Sequence, residues 1–302
     1  MAAKFEIWVL AATALILLAE VLAGRHRRIY SRSDWAVNTI CIVVGSLVRP
    51  LAAVLVATLI ARLLPGEQGA LKDVPFLPAL IAIILLAEFA NYWVHRSSHT
   101  LKDSRAFDWL WRMHRTHHTA KYVNVLLNFR ISLFWGLVAG LTWVMSLAIY
   151  LGQDAAAGVA VFIFSFWGVF THSNFRWDDT IRNSRPFGGL FRGLEHVFVS
   201  PGIHHTHHGF GRDGANYRNF GIFLSIFDWI FGTLHIPKGR PARYGLPGTA
   251  LHWADDAFSP CNVGTLLSRR GRSRPLPSKS IGGMKDLKPI ADVSSLDKDD
   301  SR

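Results

Sequence analysis

Fourteen histidines occur among the 302 residues, and ten of them fall within residues 95–118 and 196–208. In each of these stretches three histidines share the spacing HxxHH: His114, His117 and His118, and His204, His207 and His208. Side chains at positions i, i+3 and i+4 lie on one face of an α-helix, and neutral imidazole binds zinc, iron, copper and nickel. The spacing therefore predicts two helices that present metal ligands.

A further histidine pair ends an apolar run. His95 and His99 are one helical turn apart, and Glu88, Asn91 and Tyr92 extend the same stripe backward along the run. Polar and ionisable side chains in a membrane span face the interior of the bundle. The stripe therefore predicts an inward-facing pair of ligands at a helix end.

His172, with Asn174 two residues later, is a further candidate ligand at the end of a later apolar run. The metal-ligand candidates are thus His95, His99, His114, His117, His118, His172, His204, His207 and His208. A catalytic zinc needs three protein ligands and a structural zinc needs four, so these histidines are too many for one ion and suit two. Two redox-active iron ions can use dioxygen to oxidise an unactivated C–H bond, which no side chain can do unaided. Zinc could occupy the same site.

Ligating histidines donate their second N–H to an outer partner, which fixes the orientation of the ring. The polar residues near the histidine clusters are the candidates for this role, and an ordinary structural role is the alternative for each: Glu88, Asp108, Asn124, Glu195 and Asn219.

The rest of the sequence is that of a membrane protein. Half of the residues are hydrophobic and 18% are charged, below the roughly 25% of soluble domains. Five apolar runs are each about long enough to cross the ~30 Å hydrocarbon layer as a helix; they cover residues 7–24, 35–64, 74–94, 131–151 and 155–171. We expect an all-α, multi-pass transmembrane bundle of about four to five spans with a cytoplasmic, helical, histidine-rich cap.

The charge pattern predicts the orientation. The net charge of +12 would suggest nucleic-acid binding in a soluble chain, but here the basic residues lie in loops beside apolar runs. Lys and Arg favour cytoplasmic loops, and Arg25–Arg28 and residues 95–130 are basic, whereas the loop 65–73 is not. We expect a cell-membrane protein with its amino terminus outside and its histidines in the cytoplasm. A cleaved signal peptide is the alternative for the first run.

The run 35–64 contains Arg49 and Pro50, and either one long crossing or two short pieces could result. The charge of the following loop favours one crossing, in which Arg49 needs a buried or interfacial partner. The two cysteines, Cys41 and Cys261, build neither a disulfide framework nor a cysteine zinc site.

Three segments are expected. Residues 1–34 form an anchor helix and a basic loop, residues 35–250 form the catalytic domain, and residues 251–302 form a tail. The tail is rich in Ser, Arg, Lys, Asp, Pro and Gly from about residue 268, a composition typical of disorder.

Several motifs resemble those of the fatty acid hydroxylase/sterol desaturase superfamily, integral-membrane histidine-box di-iron oxygenases, and in particular a bacterial-type sterol desaturase family protein. The similarity covers about residues 30–250; its motifs are His95-Arg-Ser-Ser-His99, the two HxxHH boxes, Thr171-His-Ser-Asn174 and the segment 219–233. The resemblance implies dioxygen-dependent hydroxylation or desaturation of membrane lipids at a di-iron centre. It assigns the eight box histidines as iron ligands and adds His172 through its His-x-Asn element.

The resemblance has one clear departure. Asn124 and Arg130 fit the pattern after the second box, but Ile131-Ser-Leu-Phe134 stands where the family usually has His-Pro-x-Glu. The substrate therefore stays open among a fatty acyl chain, a sterol-like ring, an ether lipid and a lipid headgroup. By the same comparison His196 and His205 are not assigned as ligands, and His26, His235 and His252 are expected to be structural or exposed.

Two other classes of protein compete with a lipid oxygenase. A divalent-metal transporter would place ligands near the bilayer midplane, whereas these boxes lie at helix ends. A zinc hydrolase would need a carboxylate base, and the sequence has no HExxH motif. For an oxygenase we expect dioxygen, a membrane lipid and a separate electron donor, a ferredoxin or a cytochrome b5-like reductase system, as partners, and no nucleic acid.

Overall fold

The computed structural model describes residues 2–248 and 251–265, which are mostly helical. The long and intermediate helices are α1 (Ala2–Leu22), α2 (Arg32–Leu63), α3 (Phe76–Thr100), α4 (Asp108–His118), α5 (Gly140–Tyr150) and α6 (Asp154–Thr171). The short ones are α7 (Trp177–Arg182), α8 (Gly188–Leu194), α9 (Pro201–His208), α10 (Ile226–Ile230) and α11 (Trp253–Ala257), with 3-10 turns at Val125–Phe129 and Trp135–Leu137. Two strands, β1 (Gly209–Phe210) and β2 (Arg243–Tyr244), pair antiparallel.

Three of the described helices, α2, α3 and α6, are long and apolar enough to cross a membrane. The apolar stretch Ile7–Leu22 of α1 and helix α5 are shorter. The prediction of a helical membrane protein is therefore confirmed in this coarser form, with three candidate spans in the described part of the chain.

Helix α2 is continuous through Pro50, as a single crossing of this run requires. A capping box of Ser31 and Asp34 begins the helix. The Arg49 guanidinium donates through Nη2 to the carbonyl oxygens of Cys41 at 2.9 Å and Phe129 at 2.8 Å. Arg49 thus has partly buried partners, and they are main-chain carbonyls.

The span predicted over residues 131–151 is wrong. Only Gly140–Tyr150 is α-helical, and 11 residues rise about 16 Å, half of the hydrocarbon layer. The preceding segment folds into the 3-10 turn at Trp135–Leu137, where a Cβ on Gly136 would lie 3.2 Å from Ala52 of α2. A run that is buried among other helices can be as apolar as a membrane span although its helix is too short to cross the membrane.

The residue that begins α5 explains how closely it packs against α3. A Cβ on Gly140 would lie 2.5 Å from the Ala90 carbonyl carbon, so only glycine allows this approach. Small side chains then fill the contact between α3, α5 and α6: Ala79, Ala87, Ala148, Ala156, Ala157 and Ala160. Such residues bring helix backbones together in membrane bundles and hold α3 and α6 in the register that their histidines need.

The histidine segments and the basic loop after α1 gather at one end of the bundle. There the buried Glu20 near the end of α1 accepts a hydrogen bond from the Asn174 backbone N–H after α6 (2.6 Å), and Arg130 pairs with Asp34 near the start of α2 (2.8 Å). The α2–α3 loop and the α5–α6 turn meet at the opposite end, where Gln153 Nε2 donates to Val74 O at 3.2 Å.

The first part of the predicted tail is folded. Residues 251–265 include α11, whose Ala257 packs against Val37 and Cys41 of α2. Thr116 Oγ1 of α4 donates to the Asp256 carbonyl oxygen at 2.8 Å, so α11 braces the helix that carries the first HxxHH box. The predicted disorder from about residue 268 lies outside the described residues.

Candidate metal centre

The fold brings all nine predicted ligands together in two groups. One consists of His95, His99, His114, His118 and His207, and the other of His117, His172, His204 and His208. We call these the five-histidine group and the four-histidine group. In each group one nitrogen of every ring lies within 4.8 Å of the corresponding nitrogen of every other ring, and all nine side chains are buried.

Each HxxHH box divides its histidines between the two groups. In α4 the first and last histidines of the box belong to the five-histidine group, and His117 belongs to the four-histidine group. In α9 the reverse holds, and His207 alone joins the five-histidine group. The rings of His118 and His208 stack at a centroid distance of 4.6 Å, so the groups are neighbours. Each HxxHH box therefore supplies histidines to two adjacent candidate metal sites.

The four-histidine group has the nitrogen separations of ligands on a common ion. Its Nε2 atoms lie 3.1 Å apart between His117 and His172, 2.9 Å between His172 and His204, and 3.0 Å between His204 and His208. With metal–nitrogen distances of about 2.0–2.1 Å, ligands at right angles around one ion have nitrogens about 3 Å apart. The donor set fits a transition metal.

The five-histidine group contains unpaired nitrogens. The Nε2 atoms of His95, His99 and His207 are buried and have no hydrogen-bond partner, and His114 and His118 bring their Nε2 atoms 3.0 Å apart. Burying a polar atom without a partner costs about 1–3 kcal/mol in proteins. A bound cation gives all of these nitrogens a partner, so this group also fits a metal ion.

Main-chain carbonyls orient four of the rings. The Nδ1 atoms of His95 and His207 bond to the carbonyl oxygens of Phe220 (2.7 Å) and Arg218 (2.8 Å). The Nδ1 atoms of His117 and His172 bond to the carbonyl oxygens of Arg130 (3.1 Å) and Gly168 (2.7 Å). Each Nδ1 therefore carries the proton and donates it, which leaves Nε2 free as a metal ligand.

In the described structure none of the five polar candidates bonds to a ligand ring, so the alternative, an ordinary structural role for each, applies. Asp108 forms an exposed pair with Arg112, and Asn124 caps the 3-10 turn at Val125–Phe129. Backbone carbonyls take the predicted role instead. Every residue has one, so the sequence contains no signal for which of them will face a histidine.

Glu88 acts on the site through the backbone. Its carboxylate accepts the backbone N–H groups of Ile222 (2.6 Å) and Phe223 (3.1 Å). These bonds fasten the segment after Phe220, the residue whose carbonyl orients His95, to the helix that carries His95. Asp228, which the sequence analysis missed, holds the same segment by accepting from Phe220 N at 2.8 Å.

Asn219 lies between the two carbonyls that orient His95 and His207. Its φ of +60° is in the left-handed region, which asparagine tolerates better than most residues. Its side-chain amide donates to the carbonyls of Ile203 (3.1 Å) and His235 (2.8 Å). The resulting bend turns both neighbouring carbonyls toward the five-histidine group.

Glu195 belongs to an ion cluster that anchors the start of α9. Arg182, fully buried, binds Glu195 Oε1 at 2.6 Å and Asp178 Oδ2 at 2.8 Å. Asp178 also accepts the Gly202 backbone N–H at 2.6 Å, and Ser200 donates its hydroxyl to Glu195 at 2.5 Å. The cluster positions the helix of the second HxxHH box.

Burial keeps the ligand rings neutral. Loss of solvation lowers the pKa of His117 to about 4 and that of His172 to about 3. It also lowers the pKa of His204 and His208 well below the ordinary value. Neutral imidazole is the form that binds metal. These rings are therefore already neutral at pH 7, and their Nε2 atoms can bind an ion without first losing a proton.

The other five histidines lie outside both groups. His205 is buried, with its Nδ1 3.4 Å from the Tyr244 hydroxyl, and His196 bonds to the Arg192 carbonyl at the surface. His26 pairs with Glu20, His252 caps α11, and His235 is half-buried.

The fold and the two histidine groups define a helical membrane protein with a candidate metal centre at one end of its bundle. A family model described as fatty acid hydroxylase matches residues 80–233, a range that includes all nine histidines. The chain belongs to this family, and the predicted membership of the fatty acid hydroxylase/sterol desaturase superfamily is confirmed.

The chain is also similar to a Delta(7)-sterol-C5(6)-desaturase of Nicotiana tabacum. The two are 23% identical over 164 residues, which are 53% of this chain and 51% of the relative. The chain thus spans about half the length of the curated relative it matches. No solved structure matches the chain.

Proposed function

We propose that this protein is a membrane-bound, dioxygen-dependent di-iron enzyme that hydroxylates or desaturates a C–H bond of a membrane lipid. The observation that carries the proposal is the convergence of nine buried histidines into two adjacent groups, each suited to one ion. Family membership supports the choice of iron and of a lipid substrate.

The five-histidine and four-histidine groups would each hold one iron ion. When bound, the ions supply oxidation of an unactivated C–H bond with dioxygen. The protein holds the rings neutral, fixes them through the carbonyls of Arg218, Phe220, Arg130 and Gly168, and keeps bulk water away from all nine.

Electron balance requires a donor. Dioxygen takes up four electrons, and either hydroxylation or desaturation supplies two of them from the substrate. Two electrons and two protons must therefore come from outside the substrate. We assign the supply of these electrons to a separate ferredoxin or cytochrome b5-like reductase system.

We assign the protein to the cell membrane with the metal centre on the cytoplasmic side. The basic segment Arg25–Arg28 and the histidines lie at the same end of the bundle, and loops rich in Lys and Arg favour the cytoplasm. For the substrate, the relative's name points to a sterol-like lipid, and a fatty acyl lipid is the other class that we propose.

Metal content and lipid oxidation together test the proposal. Purified protein should contain two irons per chain, and adding the gene to a host that lacks it should produce lipids heavier by one oxygen or lighter by two hydrogens. His117→Ala should abolish the new lipids and lower the iron content while membrane insertion is unchanged. His196→Ala, at a surface histidine outside both groups, is the matched control. One zinc per chain with hydrolytic activity, or normal turnover in His117→Ala, would contradict the proposal.

A further inference from the structure

Large apolar side chains outside the candidate spans are exposed on two short helices. On and beside α8 and α10 they are between 36% and 69% exposed. We call this set the apolar shelf: Phe187, Leu190, Leu194, Phe198, Trp229, Ile230 and Phe231. A group of exposed apolar side chains of this kind is typical of contact with a membrane or with another protein.

The chain segments that follow α8 and precede α10 are paired. Val199 N donates to Phe223 O at 2.9 Å, and Ser225 N donates to Val197 O at 2.9 Å. These hydrogen bonds therefore join the shelf to the segment that orients His95 and to the start of α9.

The shelf continues the exposed apolar side of a candidate span. On α3, Phe89 and Trp93 are exposed, and their rings contact Phe231 at centroid distances of 6.3 Å and 5.1 Å. The Arg96 guanidinium lies 5.3 Å from the Trp93 ring. Tryptophan and arginine at the end of a span are typical of the boundary between hydrocarbon and headgroups.

The charges around the shelf are positive. Arg185 and Arg192 are exposed beside α8. The nearby acids are not available at the surface, because Glu195 binds Arg182 and Asp228 accepts backbone N–H groups, and both are buried. Apolar side chains with exposed arginines beside them match an acyl layer beneath anionic headgroups.

An apolar groove opens beside the shelf, between α6 and α8. Aromatic side chains line it: Phe166, Trp167, Phe170, Trp177, Phe191 and Phe198. Both of its walls lead to the four-histidine group, since α6 ends next to His172 and Val199 lies two residues before the helix of His204.

We propose that the apolar shelf is an in-plane membrane surface, inserted at the boundary of headgroups and acyl chains on the histidine side, and that an acyl chain of a bilayer lipid occupies the groove beside it. The arrangement places the metal centre at the level where lipid chains begin. The proposed membrane contact does not depend on the proposed oxidation. The assignment of the groove as the route of the substrate rests on the proposed function.

Spin labels can measure the depth of the shelf. Cys41 is buried and Cys261 exposed, so Cys261→Ser gives a background for single labels at Leu190→Cys and Ile230→Cys. Leu86→Cys on the exposed side of α3 and Arg212→Cys in the cap are the references for lipid and for water. The protein is placed in nanodiscs of phosphatidylcholine and phosphatidylglycerol, and collisions with oxygen and with a water-soluble nickel chelate are compared.

Both shelf labels should meet oxygen several-fold more often, relative to the chelate, than the label at residue 212 does. A ratio of oxygen to chelate collisions equal to that of the label at residue 212 would overturn the proposal. So would labels shielded from both reagents, because that pattern indicates a protein partner or a second copy of the chain. Iron content is measured separately, so failure of the shelf and failure of the proposed function are distinguishable.

A second comparison tests the headgroup contact. Replacing phosphatidylglycerol by phosphatidylcholine should make the Leu190→Cys label shallower, and the double substitution Arg185→Gln with Arg192→Gln should remove this lipid dependence. Arg243→Gln, at an exposed arginine of β2, is the control and should preserve it. A lipid dependence that persists without both shelf arginines would contradict the assigned charge contact.

Discussion

Side chains outside the nine histidines position the candidate metal centre through backbone geometry. The carbonyls that orient His95 and His207 belong to Phe220 and Arg218, and no substitution can remove a carbonyl. What a substitution can change is the bend between them. Asn219 sets that bend with its left-handed φ and with the hydrogen bonds of its side-chain amide.

We predict that Asn219→Ala lowers metal content and stability together. Alanine loses the amide bonds and strains a φ of +60°; the two effects together cost about 2–4 kcal/mol. Asn219→Gly separates the causes, because glycine accepts this φ but makes no side-chain hydrogen bonds. Glycine should therefore recover part of the stability and little of the iron. Iron analysis and thermal unfolding check the pair, and full iron content in the alanine variant would exclude a positioning role.

At the scale of elements, sequence periodicity predicted the helices that carry ligands better than it predicted the spans. The i, i+3, i+4 spacing of polar residues located the inward stripe of α3 and the helices α4 and α9. The prediction for the run 131–151 failed because spans and buried turns share an apolar composition. The glycines at 136 and 140 permit close packing, but glycine is also common in membrane spans. The ion cluster around Arg182 was also missed, although Asp178, Asp179 and Arg182 have helical spacing.

That cluster supports a prediction about α9. Asp178→Asn removes a negative charge that pairs with the buried guanidinium groups of Arg182 and Arg240. Breaking a buried ion pair costs about 3–5 kcal/mol. We expect a lower unfolding temperature and loss of metal from the four-histidine group. The control is Asp108→Asn in the exposed pair with Arg112, 3.5 Å apart, where solvent screening limits the effect to about 1 kcal/mol or less. Equal effects of the two substitutions would contradict the anchoring role of the cluster.

At the scale of the whole molecule, the ligands come from α3, α4, the end of α6 and α9, which are distant in the sequence. The helices bring them to one end because successive long elements run antiparallel and the basic loop after α1 returns to the same end. The sequence could predict this gathering from loop charge alone. It could not predict the division into two groups, which depends on how α4 and α9 face each other.

Metal removal should therefore destabilise the entire bundle. An ion that binds only the folded state stabilises it by mass action, by about 4 kcal/mol when its free concentration is 1,000 times the dissociation constant. Without ions, the buried Nε2 atoms of His95, His99 and His207 have no partner. We expect a chelator to lower the unfolding temperature of the wild type by several degrees and to shift the double variant His95→Ala, His117→Ala, which lacks one ligand of each group, far less. Insertion of both proteins into the membrane should be unaffected, because α2, α3 and α6 stay long and apolar enough to cross it. An equal shift in both proteins would show that the chelator acts elsewhere and that the nine histidines do not join these elements through metal.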